Sequence, residues 1–292
     1  MKKTIGYYLL LALTWPMQFF PLAFHFLFSD LFYFLIYRVF GYRKNVVADN
    51  LKHSFPMMSE MERKEVEKKF YHNFADLFIE TLYLNQTPYR KTAKRLFVEN
   101  PELVKRLIDS GKNVILIAGH LGNWEYSQLF RPEFNAQRFF VYKHLESKTF
   151  DQFYKRLRTR GAIPLEMRET YRTLHSVAKS GKQYIALMIS DQRPLKSELK
   201  HWITFLNQDT PVLTGTERVA RKTNAAVVFA EITKIKRGFQ KARLELVTED
   251  ADNTEEFEIT HLFMKKLEDS IIAHPDEYFW THKRWKYKRE MN

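Results

Sequence analysis

Hydrophobic positions along the chain fall into three regimes. The first is nearly continuous. From Ile5 to Phe28, Thr14, Gln18 and His25 are the hydrophilic side chains that interrupt a run of Leu, Phe, Tyr, Trp and Ala, and a second run, Leu31 to Phe40, follows Ser29-Asp30. A helix of that length would cross a bilayer. Pro16 and Pro21 each remove a backbone donor and kink a helix. The run carries no small-residue cleavage pattern and is longer than a signal-peptide core, so it predicts an uncleaved anchor, spanning or re-entrant. Lys2 and Lys3 precede the apolar segment and Tyr42-Arg43-Lys44 closes it, so counting charges does not set its orientation.

The second regime has the helical period. Over residues 45–100, Ser59 is placed to cap a helix with alternating acidic and basic residues through Lys69, and Val66, Phe70, Phe74, Leu77, Phe78 and Leu82 form an apolar stripe. The third regime consists of short apolar runs entered through glycine turns. A helix over Pro101 to Asp109, the turn Ser110-Gly111-Lys112 and a strand Val114 to Ala118 are echoed by a helix Thr170 to Lys179, the turn Ser180-Gly181-Lys182 and a strand Tyr184 to Ile189. Thr210-Pro211 reads as an N-cap with Pro at N1, opening a helix through Thr223 whose free N–H groups could hold a phosphate. Ala225 to Ile232 and Ala242 to Val247 predict a closing pair of strands, and Thr254 to Ala273 an amphipathic helix. The fold class is therefore α/β, a mixed and mostly parallel sheet flanked by helices. Residues 1–44 form the hydrophobic membrane-anchoring helices and residues 45–292 the α/β domain.

The chemistry is concentrated behind the strand Val114 to Ala118. Gly119-His120-Leu121-Gly122-Asn123 offers flexible backbone and polar side chains, and Trp124, Tyr126, Leu129 and Phe130 resume with helical spacing. In open α/β sheets, ligands sit outside the carboxyl ends of strands, which is where His120 falls, with Glu125 on the following turn. A His and a carboxylate so placed could serve as a base and its orienter. The second unit delivers Ser190-Asp191-Gln192, and if the two strands lie parallel in one sheet, those groups share an edge with His120.

The sequence Gly119-His120-Leu121-Gly122-Asn123-Trp124-Glu125 resembles the H-x4-E motif of the late lipid A acyltransferases, the lauroyl and myristoyl transferases of Gram-negative bacteria. Pro275-Asp276-Glu277-Tyr278-Phe279-Trp280-Thr281-His282-Lys283-Arg284-Trp285-Lys286 is similar to that family's closing P-x-x-Y-x-W-x-H-x-R-x-K signature. An H-x4-E alone is common by chance, whereas two ordered signatures some 150 residues apart by the numbering are specific. Val141-Tyr142-Lys143 resembles a family Tyr-Arg pair with Lys for Arg, which removes the planar fork suited to bidentate phosphate contact. Arg158-Thr159-Arg160 sits where the family carries an R-x-R element tied to activity. Phe205-Leu206-Asn207 departs from the family block, which has a Gly after the Phe.

The resemblance implies a glycerolipid-acyltransferase-like fold and a reaction. A fatty acyl chain passes from acyl carrier protein to the hydroxyl of an acyl chain already on a lipid A precursor, at the inner membrane on its cytoplasmic side. Such a transfer needs a base, donors for the tetrahedral oxyanion, and exclusion of water. His120 is the base candidate and Glu125 would fix its tautomer. Arg158, or groups near Gly122-Asn123, would donate to the oxyanion, and Lys143 and Asp191 are further candidates for substrate contact. No Ser or Cys stands in a nucleophile elbow, so no covalent intermediate is expected. No cofactor is expected beyond the acyl donor, and no metal, since no second His stands at helix spacing from His120.

Composition narrows the partners. The chain has 292 residues, no cysteine and a formal net charge of +13, with 25 Phe and 15 Tyr. Disulfides, thiolate metal sites and cysteine nucleophiles are excluded. The charge calls for an acidic partner, and both an anionic glycolipid and acyl carrier protein qualify. The aromatic content suits a membrane interface. An acyltransferase acting on a lysophospholipid or an amino-acid lipid would keep every motif. A basic membrane-bound nucleic-acid binder is a remote alternative, because Lys and Arg are not gathered about a recognition helix or an RNA-binding motif, and no nucleic-acid partner is expected. The nine cations of the Arg138 to Arg172 stretch read mostly as a solvated face.

Overall fold

In the computed structural model, which describes residues 3–131 and 135–289, the first apolar run is broken where its prolines stand. Helix α1 (Ile5–Thr14) passes into a 3-10 turn over Trp15–Phe19 with Pro16 in its first turn, and Pro21 caps α2 (Leu22–Tyr33), which continues as a π-helical stretch through Val39. The uninterrupted Ile5 to Phe28 helix allowed by composition is therefore replaced by a bent pair. Leu22–Val39 remains, by length and composition, apolar enough to cross a membrane.

Helix α3 (Lys44–Ser54) leads to α4 (Glu60–Gln86), which opens on a full capping box: Ser59 Oγ accepts from Glu62 N while the Glu62 carboxylate accepts from Ser59 N. A single turn, α5 (Tyr89–Thr92), carries the chain to strand β1 (Leu96–Glu99). The two expected helix-glycine-strand units follow, α6 (Pro101–Asp109) with β2 (Val114–Ala118) and α8 (Thr170–Lys179) with β5 (Tyr184–Ile189). Between them lie β3 (Gln137–Tyr142), α7 (Lys148–Arg158) and β4 (Ile163–Glu166). The remainder comprises β6 (Trp202–Phe205), β7 (Gln208–Pro211), α9 (Gly215–Thr223), β8 (Ala226–Lys236), β9 (Phe239–Thr248) and α10 (Glu258–Ala273).

Seven strands form one sheet in the order β1-β9-β8-β2-β5-β3-β4, parallel at every pairing except β8 with β9. The central strand β2 is buried at all five positions. Ile115 and Ile117 enter a core that includes residues of α3, α4, α9 and α10, while Val114, Leu116 and Ala118 enter a second core against α6. Burial on both faces is why β2 reads as an unbroken apolar run rather than an alternating one.

Thr210 and Pro211, expected to open a helix through Thr223, instead end the hairpin strand β7 that pairs with β6. Leu206 and Asn207 make its two-residue turn with φ of 50° and 61°, the conformation of a type I′ turn without glycine. The Thr210 hydroxyl accepts from Trp285 Nε1 at 2.7 Å and so caps no helix, and α9 starts only at Gly215.

Candidate active site

The register of the sheet builds the site. Ala118 pairs with Ile189 across β2 and β5, and two residues further along each strand His120 stands level with Asp191. The two side chains meet there. His120 Nδ1 lies 2.5 Å from Asp191 Oδ1, the carboxylate being buried and the imidazole 17% exposed. A carboxylate can only accept, so Nδ1 carries the proton and Nε2 is left as the basic nitrogen. Gln192 Nε2 lies 3.2 Å from it and donates to it. Burial alone would raise the Asp191 carboxyl, but the charge and hydrogen bonds of His120, together with the Arg284 charge, outweigh burial and hold it below the usual range.

The loop that presents His120 is held from several sides. Gly122 sits at φ +57°, and a Cβ there would meet the Ile232 carbonyl oxygen at 2.5 Å, so neither the conformation nor the space admits a side chain. Gly122 N donates to Glu277 O at 3.1 Å, and Phe279 N to His120 O at 3.1 Å. The closing signature is thus zipped directly onto the histidine loop. Asn50 of α3 fixes that signature from behind, donating to the carbonyls of Trp280 at 2.8 Å and His282 at 3.1 Å. The rings of Trp124 and Phe279 stand 4.6 and 6.0 Å from the imidazole and wall it on two sides.

Glu125 is not the partner of His120. Residues Trp124–Leu129 form a 3-10 turn rather than the expected α-helix, and the buried Glu125 carboxylate accepts from Arg158 Nη2 at 2.6 Å. Burial alone would lower the Arg158 guanidinium, but the Glu125 carboxylate outweighs it and raises it. Phe140 and Tyr154 face the guanidinium at 4.7 and 5.2 Å. Asn123, expected near the oxyanion, has its side chain committed: Nδ2 donates to Glu80 at 2.8 Å and Oδ1 accepts from Glu125 N at 3.2 Å. The backbone donors expected there are taken as well, Gly122 N by Glu277 and Asn123 N by Gln240 Oε1 at 3.3 Å. Lys143 lies exposed one residue past the carboxyl end of β3, the same edge of the sheet, and makes no ion pair among the described residues.

Three residues of the site were given no role of their own by the sequence. Gln192, expected to share the sheet edge with His120, reaches its basic nitrogen. Glu80, buried on α4, holds Asn123 and Gly238 N. Arg284 is buried with no hydrogen-bond partner for its guanidinium among the described residues, and lies close enough to Asp191 for its charge to act there.

A family model described as bacterial lipid A biosynthesis acyltransferase matches residues 1–287. The chain belongs to that family. This acyltransferase is also similar to a lipid A biosynthesis lauroyltransferase of Escherichia coli (strain K12), with 24% identity over 251 residues, 85% of this chain and 80% of the relative. The two motifs that carried the resemblance therefore converge on one loop of the acyltransferase, with the histidine between them and an acid from β5 as its partner.

Proposed function

We propose that the enzyme moves a fatty acyl chain from an acyl carrier protein thioester to the hydroxyl of a chain on a lipid A precursor, at the cytoplasmic side of the inner membrane. The observation that carries the mechanism is the Asp191–His120 contact, which leaves Nε2 as the basic nitrogen of the imidazole. The acceptor hydroxyl displaces Gln192 from Nε2 and gives up its proton there as its oxygen attacks the thioester carbonyl. The C–S bond then breaks, and the imidazolium returns the proton to the departing thiolate. Asp191 stabilises the transient imidazolium, as in triads. The Gln192 amide, released from the base, then serves as a donor to the oxyanion. The basic chain attracts both the anionic glycolipid and the acidic carrier protein.

The test is turnover of purified protein with acyl carrier protein thioesters and a lipid A precursor. Activity that survives His120→Ala would remove the mechanism, and activity on lysophospholipid alone would move the enzyme to another acceptor.

A further inference from the structure

The bent pair α1–α2 is amphipathic in an inverted sense. Along α2, Leu22, His25, Ser29 and Tyr33 are buried against the domain, whereas Phe24, Leu27, Phe28 and Leu31 are 42%, 64%, 52% and 56% exposed. His25 and Ser29 therefore point inward, Asp30 stands half-exposed at the margin, and most of the large apolar side chains point outward. Water does not favour an outer face of that kind, and the aromatic share is high.

The inward polar groups tie both helices to the domain at short intervals along their length. Thr4 N donates to Gln152 Oε1 of α7 at 2.9 Å, and Gln86 of α4 donates to Thr14 Oγ1 at 2.5 Å. The His25 ring lies 5.7 Å from that of Tyr83, and Ser29 Oγ donates to Asp76 at 2.6 Å. Asp30, close to the middle of the Leu22–Val39 stretch, pairs with Arg237 at 2.5 Å, and Arg237 also holds Asp76 at 2.7 Å. Asp30 and Asp76 together outweigh the burial of Arg237 and raise its guanidinium.

A membrane-crossing α2 would carry Asp30 to the bilayer midplane. It would take with it Arg237 in the β8–β9 turn and Asp76 of α4, and so the folded domain. Keeping the helix in the membrane without the domain would break this network. At the far end, Arg43 donates to Thr281 O at 2.9 Å, so the chain leaves the apolar segment on the same folded body it entered from.

We infer that residues 5–40 cross no membrane and instead lie flat as a monotopic plate, with the outward face of α1, α2 and the bend between them sunk into one leaflet of an anionic phospholipid bilayer. Charge complementarity selects that occupant. Arg38, Arg43 and Lys44 border the apolar face, and the chain carries +13 overall. This deepens the membrane placement proposed above and rests on it. Vesicle binding tests the placement and cysteine labelling the topology, so the two can fail separately, and neither depends on the acyl transfer.

Because the sequence has no cysteine, a single introduced one reports alone. Lys3→Cys precedes α1, Gln18→Cys lies in the bend, and Lys222→Cys lies on α9, remote from the plate. In spheroplasts and in inverted vesicles, a membrane-impermeant maleimide is expected to reach Lys3→Cys and Lys222→Cys from the same side and to reach Gln18→Cys from neither opposite face. Labelling of Lys3→Cys or Gln18→Cys from the side opposite Lys222→Cys overturns the plate in favour of one span or a hairpin of two. In a second arm, the triple variant Phe24→Ser, Leu27→Ser, Phe28→Ser is expected to bind phosphatidylglycerol-containing vesicles at least tenfold more weakly than the unaltered protein. Equal binding, or an unaltered protein that forms a soluble dimer and ignores the vesicles, overturns the proposal.

Discussion

Asp191 reaches His120 across two parallel strands, Oδ1 to Nδ1 at 2.5 Å, and the pairing is set by the register of the sheet rather than by any spacing within the H-x4-E motif. A carboxylate on Nδ1 fixes the tautomer, and with it which ring nitrogen is left to act as the base. The acid that matters to the base thus lies 71 residues downstream of it, on the second of two similar helix-glycine-strand units.

Asp191→Asn leaves the shape of the site intact but offers Nδ1 an amide that can donate to it, favouring the wrong tautomer. In triads of this type such a change costs about 10⁴-fold in turnover. The expectation here is a fall in kcat of roughly 10³- to 10⁴-fold with KM little changed, read by steady-state kinetics on purified protein. A variant within tenfold of the parent would show that Asp191 does not set the tautomer.

Glu125 and Arg158 make a different argument, because both are largely buried and each satisfies the other. Removing one partner leaves an unpaired charge, which costs about 3–5 kcal/mol, whereas replacing both with apolar residues of similar volume is often neutral. Glu125→Met and Arg158→Met should each lower the unfolding midpoint in detergent, and the double variant should recover at least half of the loss. If the pair instead acted only in catalysis, the single variants would melt like the parent.

The sequence-to-structure differences have local causes. The strands β2 and β5 and the helices α6 and α8 stand where glycine turns and apolar runs place them, because both faces of the central sheet are covered and burial there supports the local pattern. Glu125 misled because it lies in a 3-10 turn whose backbone is held by Asn123, and because Arg158, distant in sequence, claims its carboxylate. Thr210-Pro211 carried a sound capping signal, yet the indole of Trp285 took the hydroxyl and the segment paired with β6. Long-range partners of this kind leave no periodic trace. The apolar segment up to Phe40 was legible as helical, but not the ion pair of Asp30 with Arg237, since one aspartate in an apolar run does not name its partner.

Two carboxyls beneath the histidine loop predict how stability responds to pH. Glu80 is pushed up to about 7 chiefly by burial, against the hydrogen bonds of Asn123 and Gly238 N and with added repulsion from Asp76. Glu277 is pushed up to about 7 chiefly by burial, against the hydrogen bond from Lys234 N and the Lys234 charge and with added repulsion from Asp276 and Glu231. Both have an ordinary value of 4.5 in an open chain. Between about 4.5 and about 7 the folded protein therefore holds protons that the unfolded chain has released. Their stabilising contribution is full below that window, is lost as pH rises through it and is level above it. The Asp191 carboxyl is held down rather than up, so its contribution is lost only at acid pH, below this window. The contribution of these two carboxyls to the melting temperature is accordingly expected to fall from pH 5 to pH 8, while His282, pushed down to about 4 chiefly by burial, contributes in the opposite sense up to its ordinary value of 6.5. In Glu277→Gln the amide oxygen can still accept from Lys234 N while the titrating charge is gone, so its melting curve against pH should be flatter than that of the parent. Parallel curves for the two proteins would show that Glu277 ionises in the fold as freely as in the open chain.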